Sequence, residues 1–151
     1  MSQVPEAEIQ KRTAWSRPVL WAAGLFALLG FAIQSWRLFS LSATYDQALF
    51  LQELWSTSQG RPFESSLSSV LSGAVALGDG LPSVSYLHLG QHTNALTLLG
   101  APLVALIGPW ALPLIQVSLL TAAGLVLWRL AAQRLPRPQA ERITIAYFLS
   151  G

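Results

Sequence analysis

From Tyr45 to Phe63 the sequence reads YDQALFLQELWSTSQGRPF, and Asp46, Glu53, Arg61 and Glu64 follow closely on an apolar run that ends at Trp36. A carboxylate held at membrane level beside a lipid-facing groove can serve as a general base or bind a metal. A guanidinium in the same region has the geometry to take a phosphate. The structural alternative for Asp46 is a first-turn acid stabilised by the helix dipole, with Thr44 in the N-cap position. His88 and His92 in HLGQH share a face if that stretch is helical, as two metal ligands can, but Gly90 lies between them and no third ligand stands near. Hydrogen bonding at the interface is the favoured reading of the pair. Asp79 in GDG reads as a turn residue. The sequence carries no glycine-rich phosphate loop, and without cysteine it has no thiolate nucleophile or ligand.

The elements that position these residues are set by composition. Of 151 residues, 52% are hydrophobic and 11% charged, and the mean hydropathy is +0.47. Soluble domains carry about 25% charge, so the chain reads as an all-α, polytopic integral membrane protein. A net charge of +2, with basic residues at the ends of apolar runs, excludes nucleic acid as a partner. Residues 1–17 form a polar tail. Residues 18–36 contain VLWAAGLFALLGFAIQSW without a charge and read as a transmembrane helix, with Pro18 in its first turn and Trp21 and Trp36 as interfacial aromatics. The rival is a cleaved signal peptide, disfavoured because Trp36-Arg37 stands where a small-residue cleavage site would begin.

Lys11, Arg12 and Arg17 place the N-terminus in the cytoplasm, on the positive-inside rule, of a multi-pass inner-membrane protein. Residues 37–92 are then external and include an amphipathic juxtamembrane helix at about 45–58, capped by Thr44 and ended by Gly60 and Pro62. Its apolar face is Ala48, Leu51 and Trp55, with Leu54 alongside; Asp46, Glu53 and Thr57 lie on or near another face. Residues 93–108, interrupted by Gly100 and Pro102, read as an interfacial or re-entrant segment, and 110–128 as a second transmembrane helix in which Gln116 should face protein. That topology puts Arg129, Arg134, Arg137 and Arg142 inside, in a connector at 129–142; a further apolar segment starts at 143–151, as in the N-terminal part of a longer protein.

The order YDQALF, LWSTSQGRPFESSL, HLGQH, LLGAPLVALIGP and LPLIQ, across about residues 40–130, resembles a bacterial membrane-protein family, the domain-of-unknown-function family 2079. That family is similar to the GT-C glycosyltransferases, polytopic enzymes that take a sugar from a polyprenyl-phosphate carrier and transfer it outside the membrane. The resemblance implies a catalytic role for Asp46, which matches the acid near the end of the first span, directed at the acceptor or at a divalent metal ion. It implies substrate binding at His92, which matches the loop-ending histidine; Arg61 is placed near the carrier phosphate by its position and chemistry. The chain departs from the pattern in lacking a second external acidic loop, and residues 70–87 match no part of it; alone, the 151 residues are expected to be inactive. The alternative is a non-enzymatic membrane subunit or transporter fragment, held to helical partners in the bilayer by small-residue faces at Ala22-Ala23 and Ala122-Ala123-Gly124.

Overall fold

The computed structural model describes residues 14–40, 42, 44–62, 64, 65 and 95–150. His88, His92 and Asp79 lie outside the described residues. In chain order the helices are α1 (Arg17–Phe39), α2 (Tyr45–Ser58), α3 (Ala95–Ile107), a 3-10 turn (Gly108–Trp110), α4 (Ala111–Arg134) and α5 (Arg137–Ser150). Apart from a lone bridge residue at Glu64, the described residues outside these helices are turns and irregular chain.

Two helical stretches, Arg17–Phe39 of 23 residues and Leu99–Arg134 of 36, are long and apolar enough to cross a membrane. Much of their apolar surface points outward. Trp21 is 79% exposed and Leu119 65% exposed, which in water would leave a large uncovered apolar surface. The exposed Gln116 differs from the expectation that it faces protein; it falls on an outward side of α4, next to the buried Val117.

Contacts divide the chain into two compact units, Met1–Ile33 with Gln116–Gly151, and Gln34–Ile115. In the first, Val19 and Ala23 of α1 are buried with Trp128 and Ala132 of α4 and with Ala140 and Phe148 of α5. The helices α4 and α5 form an antiparallel hairpin turned at Leu135 and Pro136, and the Tyr147 hydroxyl donates to the Leu120 carbonyl at 3.0 Å. Gly124 makes the close approach possible: a Cβ there would overlap the Phe148 ring and lie 2.8 Å from Tyr147 Cε1. The stretch read as a connector at 129–142 is therefore mostly helix. Pro136 ends α4, whereas Pro138 falls in the first turn of α5, where its missing N–H costs nothing.

The second unit packs α2 against α3 around Leu54, Val104 and Ala111. Gly100 and Pro102 do not interrupt α3; the break falls at Gly108, whose φ of +62° lies in the left-handed region. A Cβ on Gly100 would lie 2.9 Å from Ile115 Cδ1 and 3.1 Å from Leu54 Cδ2. In a straight helix residues 100 and 115 would be separated by roughly 22 Å along the axis. The chain thus folds back at Gly108, and α3, with 13 residues, is only about 20 Å long.

Candidate functional site

Local chemistry builds both ends of α2. Thr44 takes extended backbone angles (φ −70°, ψ 159°); its hydroxyl accepts from the Gln47 N–H at 3.4 Å, while Gln47 Oε1 accepts from the Thr44 N–H at 3.3 Å. This is a capping box, which satisfies two otherwise unpaired donors. Gln47 Nε2 also donates to Gln34 Oε1 at 2.9 Å, tying the start of α2 to α1. At the other end Gly60, at φ +79°, donates to the Thr57 carbonyl at 3.0 Å, and the Arg61 N–H reaches the Ser56 carbonyl at 2.9 Å. Those two bonds form a Schellman motif, for which glycine suits the left-handed position.

Asp46 is exposed in the first turn of α2, where a negative charge is favoured by the dipole. Arg61 follows the Schellman turn, with its Nη1 3.1 Å from Glu64 Oε2 and its guanidinium carbon 5.8 Å from the centre of the Trp55 ring. Ser65 then donates to Gln52 Oε1 at 2.9 Å, so the segment after the turn is strapped back along the helix. Asp46 and Arg61 are not brought together: α2 alone places roughly 18 Å of helix between its two ends. A single sugar phosphate cannot place its reacting carbon beside one and its phosphate on the other.

The buried side of α2 differs from the expected apolar face. Leu49, Glu53, Leu54 and Ser56 are buried, while Ala48 is exposed and Trp55 is 51% exposed. Ala48, Leu51 and Trp55 do share a face, but with Gln52 they line an open groove of about 480 Å³ closed on its other side by Val104, Gly108 and Pro109. Glu53 is the functional candidate that sequence reasoning passed over. It is 1% exposed, and desolvation by burial raises its pKa from 4.5 to about 7. Its sequence signal was the triplet Leu49, Glu53 and Ser56, a helical stripe as regular as Ala48, Leu51 and Trp55. Asp46 and Glu53, seven apart, lie within about 20° of each other around the helix and about 10 Å apart along it. The groove is on the opposite side. Among the described residues no three His, Cys, Asp or Glu side chains converge as metal ligands would.

Among the described residues, helices with two membrane-length apolar stretches and an acid-bearing helix after the first of them define the class: a helical membrane protein. The chain belongs to the family described as predicted membrane protein (DUF2079), whose model matches residues 37–151. No curated protein and no solved structure matches it.

Proposed function

We propose that the chain forms the acid-bearing part of a membrane enzyme that transfers a sugar from a polyprenyl-phosphate carrier, in the manner of GT-C-type glycosyltransferases. The observation that carries this reading is the pair of carboxyls on one face of α2, Asp46 exposed at the helix start and Glu53 buried two turns further on. In this reading Asp46 takes the proton of the acceptor hydroxyl as its oxygen bonds to the anomeric carbon. The bond from that carbon to the carrier phosphate breaks, and polyprenyl phosphate leaves with the electron pair. Glu53, with a proton affinity matched to neutral pH, carries a proton to or from the same face. Arg61, beside Trp55 at the rim of the groove on the opposite side of α2, is too far from Asp46 to hold the phosphate of the same donor, and in this reading it meets the phosphate of a surrounding membrane lipid. His92 is assigned to substrate binding.

The non-enzymatic reading draws less support. Of its small-residue faces, Ala23 is buried against Trp128 and Gly124 is covered by Phe148, which leaves Ala122 and Ala123 exposed for a partner. The test uses the protein in its own membrane, supplied with radiolabelled polyprenyl-phosphate sugar. Asp46→Asn is expected to lower transfer at least a hundredfold at unchanged membrane level, and Glu53→Gln to abolish the inflection of the pH–rate profile near 7. Full transfer by both variants would remove the assignment, and carrier binding without turnover in the unaltered protein would favour a binding subunit.

A further inference from the structure

We propose that the end of the first unit, where α1 begins, α4 ends and α5 begins, is a binding surface for anionic phospholipid headgroups. Five arginines are exposed there: Arg17, Arg129, Arg134, Arg137 and Arg142. Contacts hold them to one end of the unit. The Arg129 guanidinium carbon sits 4.5 Å from the centre of the Trp15 ring. The Ser16 hydroxyl donates to Glu141 Oε1 at 2.7 Å, and Arg137 Nε donates to the same oxygen at 3.2 Å. The residues just before α1 are thereby fastened to the last turns of α4 and the first turns of α5.

Glu141 is the one acid among these groups, and the Ser16 hydrogen bond, with a further contribution from Arg137, holds its carboxyl below the usual range. It stays ionised and neutralises one arginine. Among the described residues, five guanidinium groups less one carboxylate leave four positive charges at this end, in a chain whose net charge is only +2. No acid among the described residues engages Arg17, Arg134 or Arg142, so their five-donor forks are available to phosphate oxygens.

A dissolved anion would satisfy only the charge. Apolar side chains rise directly from the same turns: Leu20 is 45% exposed one turn after Arg17, Leu130 is 57% exposed beside Arg129, and Ile143 is 45% exposed beside Arg142. A diacyl phospholipid covers both surfaces, its phosphate on the arginines and its chains on the leucines and isoleucine. Trp15, half exposed between them, suits the headgroup boundary. An equilibrium preference for anionic lipid follows, whichever way the helices are oriented.

The test is native mass spectrometry of the full chain in neutral detergent, titrated with phosphatidylglycerol or phosphatidylcholine. Phosphatidylglycerol is expected to be retained at least tenfold more tightly, with the preference shrinking as ionic strength rises. Arg17→Gln, Arg134→Gln and Arg142→Gln together should remove it, at about fivefold per arginine. The corresponding triple Lys variant should keep most of it and shows whether the Gln variant has merely misfolded. Equal retention of the two lipids by the unaltered chain, or an undiminished preference in a folded Gln variant, would overturn the proposal. So would displacement of phosphatidylglycerol by millimolar inorganic phosphate, which would mark a site for free anions.

Discussion

Glu53 ties the pH behaviour of the chain to one carboxyl. Its pKa is raised by desolvation from 4.5 to about 7, so between those values the folded protein binds a proton that the unfolded chain has released. Stability contributed by the protonated form is complete below about pH 4.5 and is lost as pH rises through about 7. The shift corresponds to roughly 3 kcal/mol at most. Thermal unfolding in detergent is expected to fall from pH 5 to pH 8, and Glu53→Gln, isosteric with the protonated acid, should flatten that dependence and raise stability at pH 8. An unchanged slope would show that Glu53 is not the group responsible. The sequence displays Asp46 and Glu53 with equal prominence, and nothing local tells them apart. Burial separates them, and burial depends on which sides of α2 are covered, a non-local property that spacing within the helix does not encode.

Individual helices divide along the same line between local and non-local causes. The ends of α2 were legible because capping is a contest among a few neighbouring groups, and Thr44, Gln47 and Gly60 have the right chemistry at the right offsets. The first apolar run was legible too, because a stretch without charge has few alternatives to a membrane-length helix. The interruption near residue 100 was misplaced because Gly100 and Gly108 look alike in sequence. Gly100 serves close packing against Leu54 and Ile115, and Gly108 serves a left-handed turn. Gly124 and Gly24 offer a matched pair within helices. Gly124→Ala would drive a methyl into the Phe148 ring and is expected to cost roughly 1–3 kcal/mol, whereas Gly24 has nothing within 4 Å of its would-be Cβ. Gly24→Ala should therefore stabilise by roughly 0.5–1 kcal/mol through helix propensity. Unfolding midpoints of the two variants measured side by side would decide this, and equal effects would contradict the packing described for α4 and α5.

For the molecule as a whole, the sidedness of the membrane decides where any chemistry occurs. The external loop expected at 37–92 and the internal placement of Arg129, Arg134, Arg137 and Arg142 rest on charge. An arginine at the centre of the bilayer costs roughly 2.5–3.5 kcal/mol on insertion scales, and basic residues near the ends of spans bias orientation cumulatively. The chain has no cysteine, so single substitutions report cleanly. In intact cells an impermeant thiol reagent is expected to label Ser68→Cys and not Gln139→Cys. Labelling at position 139 from outside would overturn this arrangement in favour of one in which 93–108 also crosses the membrane.

The left-handed turn at Gly108 also settles a question of fit between protein and lipid. Unbent, the 36 residues of Leu99–Arg134 would make a rod of roughly 54 Å, far longer than the roughly 30 Å of hydrocarbon it would have to match. Such a rod would have to tilt steeply, thicken the surrounding bilayer or push apolar turns into water. The fold at Gly108 takes α3 out of that reckoning and leaves α4, with 24 residues and a length of roughly 36 Å, as a rod that a modest tilt accommodates. One backbone dihedral thereby divides a single apolar stretch into rods of about 20 and about 36 Å.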